Sequence, residues 1–168
     1  MLRERFYSTA QMVYLIGVRH DIQFDPEPHP AKIVRDKRAS FKAHVLEVIE
    51  TLGISILAEE FSDEAKRKWR VSESILEQLA KAEGIEHRFC DPTPAQREEN
   101  GIEQSDLDKR EQFWLSRIQD CKSRNVLFVC GDDHVEAFSK KLIAAGFDVK
   151  YGPRWQISDE EVWATYGL

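Results

Sequence analysis

The sequence is poor in the features that most quickly identify a protein. Cysteine is scarce: Cys90, Cys121 and Cys130 are an odd set with no C-x-x-C spacing. That excludes a disulfide scaffold and suits a reducing compartment. No apolar run approaches the roughly 20 residues of a membrane-spanning helix. The opening Met1-Leu-Arg-Glu-Arg-Phe6 has neither a long apolar core nor a small-residue cleavage site, so no signal peptide is expected. Positive charge is also in deficit. The formal net charge of −6 argues against the basic face that a nucleic-acid phosphate backbone requires. A cytoplasmic protein with no nucleic-acid and no membrane partner is the expectation. Finally, there is no G-x-S-x-G elbow, no glycine-rich phosphate loop and no H-E-x-x-H helix, which removes three common signatures of catalysis and nucleotide binding.

What is present suffices for one domain, residues 1–168, with 42% hydrophobic residues and four tryptophans to build a core. The stretch Val126-Leu-Phe-Val-Cys-Gly-Asp-Asp-His134 sets the pattern. A short, continuous apolar run that ends abruptly in polar residues reads as a strand buried on both faces. Gly131 reads as the tight turn at its end, and the acids after it as the opening of a helix. Met12-Val-Tyr-Leu-Ile-Gly-Val-Arg-His20 repeats the arrangement. Both are apolar runs followed by Gly-x-x-His, and together they use two of only five histidines.

Between these runs the spacing alternates. Residues 1–10 read as a loose lead-in, and Asp25–Pro30, with three prolines, as a surface loop. Phe41, Val45, Val48, Ile49 and Leu52 form one helical stripe that Gly53 ends. Ile54–Ala58 is a second strand, running into Glu59-Glu60. A helix capped by Ser72 or Ser74 carries Ile75, Leu76 and Leu79. Ile85–Cys90 is a third strand of mixed polarity, suited to a sheet edge. Residues 91–105 read as an irregular lid. A helix capped by Asp106 follows, with Leu107, Phe113, Trp114, Ile118 and Cys121 on one face. Val126–Cys130 is the fourth strand, Val135, Phe138, Leu142 and Ala145 mark the next helix, and Phe147–Tyr151 is the fifth strand. Ser158-Asp-Glu-Glu161 begins a C-terminal helix. Strand–helix alternation predicts a single-domain α/β fold, a mainly parallel sheet flanked by helices in three layers.

Parallel strands place their C-terminal ends along one edge, where ligands bind. The residues just past those ends are His20, Glu59-Glu60, Asp91 and His134. Two imidazoles with carboxylates are the usual materials of general acid–base catalysis and of divalent-metal ligation. Asp91 taken singly reads as solvated, and Asp132 and Asp133 as helix-opening acids. His29, His44 and His87 read as surface or incidental residues. Cys130 beside Gly131 offers a cysteine nucleophile as a minor alternative to a buried structural thiol.

Gly17-Val-Arg-His20, Ala58-Glu59-Glu60, Arg110-Glu111-Gln-Phe-Trp114 and Gly131-Asp-Asp-His134, in this order, resemble the motifs of the Tiki/TraB superfamily. The erythromycin-esterase-like and ChaN-like proteins are related to that superfamily. The resemblance covers residues 12–151 in short pieces. It implies an α/β core that gathers His20, one of Glu59 and Glu60, Arg110 and His134 in one pocket. It also implies hydrolysis of an ester or amide bond, since characterised relatives include metal-dependent proteases and a macrolide-lactone esterase. Other relatives bind haem or act as regulators. The chain departs from the membrane-anchored members by having no apolar run long enough to span a bilayer, and it is shorter than most.

The expected function is therefore a hydrolase of a small-molecule or peptide substrate. His20, His134 and Glu59 or Glu60 either hold a divalent metal (Mn or Zn) with its bound water or act directly as base and acid. Arg110 stabilises developing negative charge, or else is a surface charge paired with Glu103, Asp106 or Glu111. Arg19 is expected to face solvent. The alternative is a non-catalytic module that holds a small ligand or a metal as a sensor. Both readings require the two distant histidines to meet.

Overall fold

Every strand in the sheet is parallel to its neighbours, as the alternation of runs and stripes predicts. The computed structural model describes residues 11–24, 32–121, 123–158 and 161. In chain order the elements are β1 (Met12–Val18), α1 (Lys32–Leu52), β2 (Ile54–Glu59), α2 (Asp63–Trp69), α3 (Ile75–Glu83) and β3 (Glu86–Phe89). They continue with α4 (Pro94–Asn100), α5 (Leu107–Ile118), β4 (Asn125–Gly131), α6 (Val135–Ala144) and β5 (Asp148–Tyr151). Short 3₁₀ turns, His20–Ile22 and Asp132–His134, follow β1 and β4. The strand order is β3-β2-β4-β1-β5, which puts the mixed-polarity β3 at an edge.

Alternation along each central strand feeds two cores. Ile16, Leu57, Leu127 and Val129 pack with α1 and α3 on one face. Val13, Leu15, Ile56, Ala58, Phe128 and Cys130 pack with α5 and α6 on the other. Trp114, Phe128 and Phe138 are fully buried in the second core, with ring centroids 4.8–5.9 Å apart. Aromatic burial of this kind contributes about 1.5–3 kcal/mol per side chain. The result is a three-layer α/β sandwich. Among the described residues no helix is long and apolar enough to cross a membrane.

Four expectations need correction or a limit. Residues 91–105 are not an irregular lid, because α4 occupies their centre. Its start is a capping box: Thr93 Oγ accepts from the Gln96 N–H, and the Gln96 side chain accepts from the Thr93 N–H. Pro94 sits in the first turn, where its missing N–H costs nothing. The prolines that suggested a break thus mark a helix beginning. Leu107 and Ala145, placed on helical stripes by spacing, are exposed; each lies at a helix end where the stripe turns away from the sheet. Lead-in residues 1–10 and the proline loop 25–30 lie outside the described residues. Of the C-terminal helix only the cap is described: the Ser158 N–H donates to Glu161 Oε2 (2.8 Å) and the Glu161 N–H to Ser158 Oγ (3.1 Å).

Candidate active site

Register, rather than sequence proximity, assembles the site. Val18 at the end of β1 lies opposite Gly131 at the end of β4, so His20 and His134 leave adjacent strands side by side. On the other flank of β4, Glu59 lies opposite Val129, and the Glu60 N–H donates to the Val129 carbonyl (2.8 Å). The Cys90 N–H donates to the Glu59 carbonyl (2.9 Å), which sets Asp91 just beyond. Four neighbouring strand ends thereby deliver Asp91, Glu60, His134 and His20 to one edge.

The pleat separates the two glutamates. Glu60 falls on the α5/α6 side and stands between the two imidazoles, with His20 Nε2 3.9 Å from Oε2 and His134 Nε2 3.6 Å from Oε1. Arg110 Nη2 donates to Glu60 Oε1 and the Gly131 N–H to Oε2, each at 2.7 Å. Glu59 falls on the opposite face, where Ser74, His87 and Gln23 surround it. Of the two acids, Glu60 is therefore the one placed with the histidines.

The Gly-x-x-His turns need glycine for closeness rather than for a tight bend. Gly131 has an ordinary backbone (φ −55°, ψ 142°). A Cβ there would lie 3.0 Å from His20 Nε2 and 3.3 Å from Glu60 Oε2. A Cβ on Gly17 would lie 2.6 Å from both Asp132 Oδ1 and Val135 Cγ2. Each glycine thus makes room for the other turn. The first turn is fixed further by the buried Arg38 of α1, whose Nε and Nη2 donate to the Asp21 carbonyl at 2.9 and 2.6 Å. Arg19 does not simply face solvent: its Nη1 donates to the Ile157 carbonyl at 2.9 Å.

Arg110 is not a surface helix charge. It is buried, and its Nε and Nη2 also donate to Asp91 Oδ1 at 3.0 and 2.8 Å. Trp114 Nε1 donates to the same oxygen at 3.1 Å. Burial works against the guanidinium charge, but Asp91 and Glu60 outweigh it and raise the pKa. Asp91, expected to be solvated, is therefore part of the network. His134 Nδ1 lies 2.8 Å from Glu111 Oε1, and Lys141 Nζ donates to Glu111 Oε2 at 2.8 Å. The Trp114 and His134 rings pack edge to face at a centroid distance of 4.8 Å.

A cavity of about 150 Å³ opens onto this network. His20, Glu60, Asp91 and Arg110 form its polar side, and Phe24, Phe61, Ala65 and Trp69 its apolar side. The His20 side chain is 53% exposed and that of His134 9%. His134 is outside the cavity lining and meets Glu60 from within the core.

Spacing missed Glu111, Gln23 and the role of His87. Glu111 did carry a signal: with Trp114, Leu115 and Ile118 it shares a buried stripe of α5, and an acid in such a stripe needs a partner. Gln23 carried none. His87, dismissed as incidental, sits 2.8 Å from the buried Glu59. His44, expected at the surface, is partly buried and lies 3.2 Å from the Tyr14 hydroxyl. His29 is outside the described residues. Cys130 is wholly buried, and desolvation pushes its thiol well above its ordinary pKa, the setting of a structural thiol rather than an activated nucleophile.

The donor set does not suit a divalent cation. Both Glu60 oxygens are already engaged, and a guanidinium stands against the carboxylate where a metal would have to bind. Among the described residues no three His, Cys, Asp or Glu side chains are grouped to hold an ion. Comparison with known proteins is silent: no family model, curated protein or solved structure matches the chain.

Proposed function

We propose that this edge of the sheet is the active centre of a hydrolase acting on an ester or amide bond by metal-free acid–base chemistry. The observation that carries this is a half-exposed imidazole, His20, beside a buried Glu60–Arg110–Asp91 cluster at the mouth of a partly apolar cavity. His20 takes a proton from water as the water oxygen adds to the carbonyl carbon. It then returns that proton to the departing alkoxide or amine. Arg110 offers positive charge to the carbonyl oxygen as it becomes anionic. Glu60 holds Arg110 beside His20, and His134, clamped between Glu111 and Trp114, packs behind Glu60 from the core. The motif resemblance to the Tiki/TraB superfamily supports ester or amide hydrolysis, and free, buried thiols suit a cytoplasmic setting.

The test is turnover of a panel of esters, lactones and peptides by the purified chain. Activity lost in His20→Ala and sharply reduced in Arg110→Lys is the expected result; no turnover by the intact chain of any member overturns it. Melting with Mn²⁺ or Zn²⁺ separates the metal-dependent version. A site loaded at a hundredfold over Kd would add about 2.7 kcal/mol, whereas the metal-free reading expects no shift.

One observation favours a second reading. Arg110 is already neutralised by two carboxylates, as in a pocket that only holds a ligand. Retention of a small neutral ligand without turnover, abolished by His20→Ala, would favour that binding module.

A further inference from the structure

The groups behind His20 form a chain that the proposed hydrolysis leaves unused. We propose that Glu59, acting through Gln23, is a positioning residue that holds neutral His20 as its Nδ1–H tautomer, making Nε2 the basic atom at the cavity. The argument begins at the buried end. Glu59 is 0% exposed and ringed by donors: Ser74 Oγ, His87 Nε2 at 2.8 Å and Gln23 Nε2 at 3.2 Å. Ser74 has its direction set independently. As the cap of α3 its Oγ accepts the Glu77 N–H at 3.0 Å, so its single hydrogen goes to Glu59. A carboxylate in such a ring only accepts.

Gln23 must then turn its NH₂ toward Glu59 and its carbonyl oxygen toward His20. That oxygen lies 2.7 Å from His20 Nδ1. An amide oxygen has no hydrogen to give, so the hydrogen between them belongs to the ring. Gln23 is itself wholly buried, and its backbone carbonyl accepts the Ile75 N–H at 2.8 Å. Gln23 and Glu59, both wholly buried, have no room to swing. Glu111 does the same for His134 without an intermediary, accepting from Nδ1 at 2.8 Å. An unrestrained imidazole in water favours Nε2–H, so here the protein imposes the opposite form.

The tautomer follows from hydrogen bonding alone, while its catalytic consequence rests on the hydrolase reading. A neutral His20 with its hydrogen on Nε2 would have no lone pair there to receive a proton from water.

Long-range ¹H–¹⁵N correlation of the histidine rings in the full chain, at a pH where His20 is neutral, reads the tautomer directly. The expected wild-type spectrum has a protonated-type Nδ1 and an unprotonated-type Nε2 for His20. In Glu59→Gln, whose amide offers donor as well as acceptor, and in Gln23→Met, His20 shifts toward Nε2–H while His134 keeps its pattern. On an active substrate these variants lose about 10²-fold in kcat, with KM little changed. A wild-type His20 carrying Nε2–H, or an unchanged Nδ1–H form in both variants, overturns the proposal. If the variants fail to fold, the wild-type spectrum decides by itself. The expected tautomer in a chain without turnover would uphold the relay and defeat the hydrolase reading.

Discussion

The two Gly-x-x-His turns share a pattern and differ in what the fold does with it. Gly17-x-x-His20 leaves its imidazole half in solvent, tethered from behind through the amide of Gln23. Gly131-x-x-His134 buries its imidazole against Trp114 and binds it to a carboxylate that a lysine also holds. One ring is open to solvent and the cavity, the other is packed behind Glu60, and the proposed mechanism gives proton exchange to the first alone. The difference comes from the neighbouring helices. α5 and α6 close over the second turn, whereas the first opens between Phe24 and Trp69. A repeated motif therefore specifies a place at the sheet edge and leaves the role to the surrounding packing.

The heaviest blow to this arrangement is Arg110→Met, which removes the cation bound to Glu60, the acid that both turns face. It leaves Glu60 and Asp91 without their common cation, and a buried pair broken from one side costs about 3–5 kcal/mol. Urea denaturation should show that loss as a lower midpoint with an unchanged slope. Next in size is the contrast between the histidines. His134→Ala, by emptying space beside Trp114 and stranding Glu111, should cost about 2–4 kcal/mol. His20→Ala should stay within about 0.5 kcal/mol while removing activity. Equal destabilisation by both would erase the division of roles.

The glycines sharpen the same comparison. Gly17→Ala pushes a methyl into Asp132 and Val135 and should cost about 1–3 kcal/mol. Gly131→Ala meets the movable end of His20, so it should spare stability and instead perturb the His20 ring resonances. The effect that is smallest near neutral pH, and grows only in alkali, concerns the thiols. Burial raises Cys90 to about 12 and Cys121 to about 11, above the ordinary value near 9 in the unfolded chain. Above that value the unfolded state releases protons first and binds fewer than the native state, so stability falls as pH rises from about 9 toward 12. Iodoacetamide at pH 8 should label these cysteines only as fast as the chain opens.

Much of the framework was legible because it depends on periodicity. Continuous apolar runs gave the three central strands, shorter mixed runs the two edge strands and stripes most of the helices, while polar residues at strand ends gave His20, the Glu59-Glu60 pair and His134. Glu59 and Glu60 could not be separated without the register, since a shift of one residue exchanges the two faces. A small irregularity in pairing between Ile54 and Ile56 shows why counting along β2 alone was not enough. Asp91, which was placed at the edge but read as solvated, and Glu111 were misjudged for a different reason. A buried acid and an exposed one look alike in sequence, and what distinguishes them here is a partner contributed by another element. α4 was missed because proline was read as a stop when its place just after a cap made it a start.

The strand order carries a consequence for how the molecule comes into being. β1, the first of the described strands, is flanked by β4 and β5, so its strand pairing is with residues more than a hundred positions away. Contacts of that reach close late and slowly. β4 lies between β1 and β2, so His20 and Glu60 become neighbours only once β4 has joined the sheet. The histidine pair is thus a product of completed folding, and a chain stopped short of Val126 would carry the first turn with nothing for it to act beside.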